Sequence, residues 1–439
     1  MKHPLLALLP FVLLLTGCLE ETCDETITYV GYEPILLSAA EWRNDDFPEL
    51  ESESVCNPGA FYVYGDLLFI LDQGEGLHIF DNADNANPRP LKFIPVKGGT
   101  GLAVRNGILY VNQFVDMLAF DLSDPASPEF LSRTEDVLRN ESDYSYGYLN
   151  AAGGDILLGY AETTETREVS CGSLYQGRDL FLEDDLIFFA FNQVSSNAGR
   201  DFSVAPLASG APGTVGIGGS LARFTISGGN LYVVSESDLR TFSLADATAP
   251  ALVATTDLGW GIETIFPYKD MLFLGSQTGM LIYGIDNPAA PEHLSTFQHV
   301  LSCDPVVVQD DIAYVTMWGG SECGARGDQL TVIDVANPRS PRELQSVPMS
   351  NSHGLGVDGD KLFLCSGEEG LKVFDLTDEG LLGDERFVAD EFSAKDVIVL
   401  PAKRELIVLG WQQGGIRQYD YASNGKPTYA GAINVCDGE

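Results

Sequence analysis

Short apolar segments recur along the chain at intervals of about 40 residues. Each segment ends in an aromatic or aliphatic residue that is most often followed by Asp, as in LHIFD and LKVFD. The final residues of the copies are Asp81, Asp121, Ser243, Gly284, Asp334, Asp375 and Asp420. A period of this length is typical of repeat folds, in which every copy is one supersecondary unit.

Each copy carries signals for three further strands. A tight turn such as Asp358-Gly359-Asp360 and an apolar strand precede the segment, which is typical of a β-hairpin. In most copies a proline-bearing turn, such as residues 124–128, and a fourth apolar strand follow it. Four short antiparallel strands, here called A to D, without helical periodicity predict one propeller blade. The predicted fold class is therefore all-β, a seven-bladed β-propeller of four-stranded antiparallel blades.

One interval is much longer than the others. Between Asp121 and Ser243 it is about three times the usual length, which places an insertion at about residues 140–217. Two segments inside it, GGDILLGYAETTETREVS and DLIFFAFNQV, have strand-like composition but lack the Asp and proline turn that should follow. We expect them to form an extended hairpin, with an eighth blade as the alternative. The propeller domain is predicted to span residues 56–439.

Strands of the type LTVIDVANPRSP (330–341) and LAFDLSDPASP (118–128) resemble the LVIVD repeat of bacterial and archaeal surface proteins. The resemblance covers about residues 57–434 without the insertion. It departs from the pattern in the sixth copy, where TDEGLLGD lacks proline, and in the third, where Ser243 replaces Asp. The resemblance implies a β-propeller and a surface location, and it implies no reaction.

The N-terminus predicts an exported, lipid-anchored protein. After Lys2 comes an apolar run from Leu5 to Leu15 that is too short to span a bilayer. It ends in the sequence LTGC, which resembles a lipobox with Cys18 as the lipid anchor. We expect residues 1–17 to be a lipoprotein signal peptide and residues 18–55 an anchor and tether, an ordinary signal peptide being the alternative.

Residues after Cys18 bear on location. Leu19 stands where inner-membrane lipoproteins carry a retention aspartate, and two glutamates follow it. This predicts attachment to the outer membrane, facing either the cell surface or the periplasm. The net charge of −39 argues against nucleic acid as a partner, because phosphates repel an acidic surface. We interpret the charge as an acidic, solvated exterior.

The meander puts the D–A and B–C connections at one end of the ring, here called the loop face. We place function there, since it receives the insertion and the most variable loops. Three tryptophans fall in these loops, and four charged or titratable residues lie near the starts of the A strands, around the channel mouth. The candidate ligand-binding residues are Trp260, Glu263, Asp304, Trp318, His353, Asp396 and Trp411.

These candidates have a simpler interpretation, in which the indoles pack over blade ends and the polar groups solvate the channel. No cofactor is predicted, although the acidic mouth is suited to a divalent cation. His78 alternates within a strand and is predicted to face solvent.

Of the eight cysteines, Cys18 would be lipidated, leaving an odd number in an oxidising compartment. The meander brings Cys303 and Cys323 to the loop face, and this predicts a disulfide. A second is predicted between Cys56 and Cys171. Cys23 and Cys436 lie near the termini, where the ring closes, and Cys365 is predicted to be a buried free thiol. No CxxC spacing suggests a metal site.

No catalytic motif is present, and no catalytic residue is assigned. Repeat regularity and the anchor favour a binding or interaction module of the cell envelope, whose ligand is a surface glycan or peptide. The first alternative is a propeller enzyme of the lyase or glycosidase type with its site at the channel mouth. The second is a structural scaffold that contacts other proteins of an envelope complex.

Overall fold

A computed structural model describes residues 24–47, 54–138, 155–170, 215–298, 305–318, 327–411 and 415–436. These residues belong to two compact units: one contains residues 24–38 and 155–170, and the other contains the remaining ranges. Across the described ranges, no helix has the length and apolar character needed to cross a membrane.

The elements are numbered in chain order. The N-terminal region and the insertion contribute β1 (Asp24–Leu37), α1 (Ala39–Trp42), β10 (Ile156–Ser170) and β11 (Ile217–Gly218). Blades 1 and 2 are formed by β2 (Pro58–Tyr64), β3 (Leu67–Asp72), β4 (Gly76–Asp81), β5 (Arg89–Ile94), β6 (Leu102–Arg105), β7 (Ile108–Gln113), β8 (Asp116–Asp121) and β9 (Glu129–Thr134). Blades 3 and 4 are formed by β12 (Phe224–Ser227), β13 (Asn230–Val234), β14 (Asp238–Ser243), β15 (Ala251–Asp257), β16 (Ile262–Tyr268), β17 (Met271–Ser276), β18 (Gly279–Gly284) and β19 (Glu292–Gln298).

The second half of the ring repeats the same unit. Blades 5, 6 and 7 are formed by β20 (Val306–Gln309), β21 (Ile312–Met317), β22 (Gln329–Asp334), β23 (Arg342–Pro348), β24 (Leu355–Asp358), β25 (Lys361–Cys365), β26 (Leu371–Leu376), β27 (Leu382–Ala389), β28 (Ala394–Leu400), β29 (Glu405–Gly410), β30 (Ile416–Tyr421) and β31 (Pro427–Ile433). Every blade is an antiparallel meander in sequence order, and blade 1 gains β11 as a fifth strand. The all-β, seven-bladed prediction is confirmed.

The aspartate of the repeat has a structural role. In Asp81, Asp121 and Asp334 the carboxylate accepts a hydrogen bond from the backbone N–H two residues later, at 3.1, 2.6 and 3.1 Å. Ser243, the exception in the repeat, uses its hydroxyl for the same bond at 3.3 Å. Short polar side chains favour such turns, so the C strand ends and the chain bends toward the D strand.

Burial differs between the inner strands and the outer strand of each blade. The A, B and C strands are almost wholly buried, as in β7 and β8, whereas D strands such as β23 keep partly exposed side chains. Large apolar side chains between neighbouring blades, among them Phe69, Tyr110 and Phe273, are fully buried. Burial between stacked sheets, rather than within one sheet, therefore holds the ring together.

The smaller unit is a two-stranded ribbon. Strand β1 pairs antiparallel with β10 along its whole length, from Asp24 opposite Ser170 to Leu37 opposite Ile156. The described strand of the insertion thus pairs with the N-terminal segment. The other predicted strand, DLIFFAFNQV, lies outside the described residues, as does the signal peptide.

Residues 39–47 pack against blade 2 and are here called the latch. Trp42 is 4% exposed and packs edge-on against Phe114, with 5.3 Å between ring centroids. Arg43 donates from Nε and Nη2 to the Asp116 carboxylate, at 2.9 Å each, and Arg133 donates to the same carboxylate at 3.1 Å. A fully buried carboxylate paired with two guanidinium groups is a strong anchor for the latch.

A disulfide joins the first and last blades. Cys56 bonds to Cys436, with 4.6 Å between their Cα atoms, and the Cys436 N–H donates to the Val55 carbonyl at 2.8 Å. The predicted pairing of Cys56 with Cys171 is therefore wrong. The physical reason is ring closure, because β31 ends at the loop face beside the start of β2.

Of the remaining cysteines, the structure describes only Cys365. Cys365 is a buried free thiol, as predicted, and burial raises its pKa well above the usual value. The predicted pair Cys303 and Cys323 lies outside the described residues, as do Cys18, Cys23 and Cys171.

Candidate functional site

Three aromatic side chains meet on the loop face, and we call them the aromatic cluster. The ring centroids of Trp318 and His353 are 4.9 Å apart, and those of His353 and Trp411 are 5.0 Å apart. The two indoles are 6.3 Å from each other and inclined by 49°. The indoles are partly exposed, whereas His353 is 7% exposed beneath them.

Consecutive blades supply the three rings. Trp318 directly follows β21 of blade 5, His353 precedes β24 of blade 6, and Trp411 directly follows β29 of blade 7. The backbone around the imidazole is fixed, since Thr316 Oγ1 donates to the His353 carbonyl at 2.7 Å and the His353 N–H donates to the Cys365 carbonyl at 2.8 Å. Rings held at strand ends form a rigid platform.

A lysine completes the cluster. The Lys395 ammonium lies 4.9 Å from the centroid of the Trp411 ring, and the residue is only 5% exposed. A cation over an indole face is stabilised by the ring quadrupole. The cluster thus offers partly exposed apolar ring faces above a buried imidazole and a buried ammonium group.

Trp260 and Glu263 lie apart from the cluster. Trp260 is on the loop face, in blade 4, and is 65% exposed, but among the described residues no ring contact joins it to the cluster. Glu263 accepts a hydrogen bond from Gln277 Nε2 at 3.1 Å, and Asp304 lies outside the described residues. Within the described ranges, no group of three or more His, Cys, Asp or Glu side chains is placed to hold a metal ion.

Asp396 does not line an open channel mouth. Its side chain is fully buried, and Ser220 covers it with hydrogen bonds from its backbone N–H at 3.1 Å and its hydroxyl at 2.8 Å. Burial raises the pKa of Asp396 to about 7, although these and other donors oppose the change. The expectation that Asp396 faces the mouth is corrected, because a segment that precedes blade 3 lies over it.

That segment, residues 215–222, runs inside the channel and is here called the return segment. Val215 forms a bridge with Arg105 at the far end of β6, and β11 pairs with the inner edge of β2. Further along, Ser220 reaches Asp396 near the start of β28. The chain therefore approaches the loop face along the inner strands of the blades.

His78 also differs from prediction. It is 1% exposed, packs against Phe93 at 4.7 Å, and places Nε2 3.5 Å from Asp72 Oδ2. The prediction of a solvent-facing His78 is wrong, because β4 is covered on both faces. Burial favours a raised pKa for Asp72, but His78 and the N–H groups of Cys56 and Asn57 outweigh it and lower the pKa.

The comparisons with known proteins can now be set beside this geometry. The sequence model described as the LVIVD repeat matches residues 303–348, which include all four strands of blade 5. The chain contains an LVIVD repeat. No curated protein matches the chain.

Solved structures resemble the repeat ring as a whole. A protein from Lactobacillus plantarum is 12% identical over 92% of this chain and 97% of its own, with a TM-score of 0.53. The periplasmic gluconolactonase of Pseudomonas aeruginosa is 12% identical over 86% of this chain and 95% of its own, with a TM-score of 0.50. The computationally designed Ika8 protein is 10% identical over 88% and 91%, with a TM-score of 0.51. At such identities the similarity shows the fold alone.

The LVIVD-repeat chain holds two important residues that the sequence analysis missed. Lys395 stands directly before Asp396 and occupies the start of an A strand, so the rule that selected Asp396 also applied to it. Ser220 had no comparable signal, because the sequence VGIGGSLA around it has neither strand alternation nor a recognisable motif.

Proposed function

We propose that the protein is a cell-envelope binding module that holds a surface glycan against the aromatic cluster of its loop face. The observation that carries this proposal is the convergence of Trp318, His353 and Trp411 from three blades, next to the Lys395 ammonium. Indole faces stack on the apolar faces of sugar rings, and flanking nitrogen groups donate hydrogen bonds to hydroxyls.

Two features of the channel support a site beside the axis. The return segment runs along the inner edge of β2 and covers Asp396 at the start of β28, so this carboxylate is not open to a ligand in the channel. The cluster lies over blades 5 to 7, away from the latch on blade 2. A glycan chain lying across the loop face would meet both indoles.

Attachment to the envelope is part of the same proposal. A lipid on Cys18 would hold the module at the outer membrane, where glycans are abundant. Replacing Cys18 with Ala should move the protein from the membrane fraction into the soluble fraction on cell fractionation. Unchanged membrane association would reject the anchor while leaving the binding proposal open to its own test.

Glycan binding is tested with the purified chain lacking residues 1–17. The protein is screened on an array of bacterial and host glycans at physiological salt, and the best glycan is then titrated by calorimetry. The variants Trp318→Ala and Trp411→Ala should each weaken binding at least tenfold, as expected for aromatic anchors. Trp260→Ala is the matched control, because the same residue type is removed from the same face outside the cluster, and it should leave affinity unchanged.

Four results would change the conclusion. Equal affinity in all three variants would place the site elsewhere, and loss of binding on replacing Pro338 in the turns of the opposite face would identify that face. Binding of envelope peptides without any glycan would make peptides the ligand class. Conversion of the bound glycan into smaller products would establish an enzyme of the glycosidase or lyase type.

A further inference from the structure

Hydrogen bonds converge on the buried carboxylate of Asp396. Its Oδ1 accepts from the Ser220 N–H, the Ser220 hydroxyl and its neighbour Val397, and its Oδ2 accepts from the Leu221 N–H at 3.4 Å. The residue is fully buried, and no described Lys, Arg or His forms an ion pair with it. A buried carboxylate without a paired cation depends on its hydrogen-bond donors.

Ser220 connects two blades through this carboxylate. While its hydroxyl donates to Asp396 in blade 7, the same oxygen accepts from the Leu355 N–H of blade 6 at 2.8 Å. The approach is close, since a Cβ on Gly354 would lie 2.1 Å from Asp396 Oδ1. Glycine at position 354 therefore permits blade 6 to pack directly on the carboxylate.

The same contacts lie next to the aromatic cluster. Asp396 follows Lys395 in β28, and Gly354 follows His353 and donates its N–H to the Lys395 carbonyl at 2.9 Å. We propose that Ser220 and Asp396 form a proton-controlled pin, which holds the return segment in the channel and positions His353 and Lys395. The positioning part rests on the proposed glycan site, whereas the pin itself does not.

The direction of the pH effect follows from burial. When the return segment leaves the channel, water reaches Asp396 and its pKa returns toward the ordinary value, whereas in the closed channel the pKa is about 7. The closed state therefore binds the proton more tightly. Raising the pH toward 7 favours opening by about tenfold per pH unit, and above 7 the effect levels off.

The titratable groups near Asp396 come from blade 6 and from β28. The return segment, VGIGGSLA, has no titratable side chain. From β25 the Cys365 thiol faces the carboxylate, and both burial and the nearby carboxylate raise its pKa well above the usual value. On the cluster side lie His353 and Lys395, which the experiment separates by substitution at Asp396 alone.

Hydrogen exchange of the whole mature chain tests the pin. Mass spectrometry follows peptides covering residues 215–222 and 353–357 from pH 5.5 to 8.5, with rates corrected for the intrinsic effect of pH. Protection should fall about fivefold between pH 6 and 7, because the slope flattens near the pKa, and then level off. Asp396→Asn should remove this pH dependence, because an amide does not titrate. Ser352→Ala is the matched control: Ser352 is also buried and donates to the Met317 carbonyl at 3.2 Å, so the pH dependence should persist.

The positioning of His353 and Lys395 is tested separately, by tryptophan fluorescence. In a Trp260→Phe background, the indole emission should change with pH around 7, and Asp396→Asn should abolish the change. Ser220→Ala should lower protection at every pH while keeping its slope.

Each outcome addresses one part of the proposal. A flat protection profile in the unsubstituted protein, or an unchanged slope in Asp396→Asn, overturns the pin. Emission that follows pH equally in both proteins overturns the positioning role. Failure of the glycan screen would count against the proposed function only, because neither readout needs a ligand.

Discussion

On the loop face, blade 2 and blades 5 to 7 each carry an indole that packs on a second ring beside a cation. The indole is buried on blade 2 and partly exposed on blades 5 to 7. On blade 2, Trp42 packs on Phe114 with the Arg43 guanidinium 4.5 Å from its ring centroid, and a segment of the chain itself supplies the indole. On blades 5 to 7, Trp411 packs on His353 with the Lys395 ammonium 4.9 Å away, and the indole remains partly exposed. The same three kinds of group thus cover the loop face at blade 2, whereas at blades 5 to 7 they leave part of an indole exposed.

The difference indicates that the latch is a structural element, whereas the aromatic cluster keeps a surface that a ligand can contact. The latch brings its own cation, since Arg43 pairs with Asp116 of blade 2, which is fully buried between two arginines. In the aromatic cluster, Lys395 contacts a ring that keeps an exposed side. Residues with the same chemistry should therefore respond differently to substitution in the two regions.

The largest effect is expected for Asp116→Ala. It leaves the guanidinium groups of Arg43 and Arg133 without their shared carboxylate, which should cost about 4 kcal/mol of unfolding free energy. Denaturant unfolding followed by circular dichroism measures the loss. Glu292→Ala, which breaks an exposed pair with Arg339, is the control and should cost less than about 1 kcal/mol. Similar losses in the two variants would show that the buried network is not an anchor.

A smaller effect is expected for Trp42→Ala, because the latch can detach while the blades stay folded. The loss of buried ring contacts should cost about 3 kcal/mol and expose residues 39–47 to protease. Limited proteolysis and the thermal midpoint report the change, and glycan affinity should stay the same. Trp411→Ala should show the reverse pattern, with affinity lost and protease resistance retained. A comparable fall in affinity in Trp42→Ala would erase the distinction between the two regions.

The smallest effect is expected for Lys395→Met, which removes the cation and keeps an apolar side chain. Glycan affinity should fall several-fold, in line with a cation–π contribution of about 1 kcal/mol. Lys269→Met is a matched control, since its ammonium also lies 4.9 Å from a ring centroid, that of Tyr268, outside the cluster. Affinity should not change in this control; if it falls as far as in Lys395→Met, the effect is one of overall charge.

The repeat made much of the fold predictable. The aspartate that ends each C strand forms a local turn, so the signal lies within a few residues of the structure it produces. The same regularity placed Trp318, His353 and Trp411 on one face, because strand order decides which loops meet. Their actual contact could not be predicted, since it depends on blade spacing and side-chain rotamers.

Non-local features were harder to predict for a physical reason. The pairing of Cys56 with Cys436 depends on how the ring closes, and the burial of Asp396 depends on the path of the return segment. Neither is encoded in the blade pattern. The path of a Gly-rich stretch such as VGIGGSLA is determined by its contacts in the channel, because its sequence has no alternation of apolar and polar residues.

Ring closure through Cys56 and Cys436 also removes the exposed end units that linear repeat arrays have. Open arrays need polar capping repeats, because their two end units expose an apolar side, and unfolding starts by fraying from those ends. In this protein every blade has two neighbours, and a covalent bond prevents the first and last blades from separating. Loss of structure must therefore begin inside the ring, where each opening exposes two apolar blade surfaces at once.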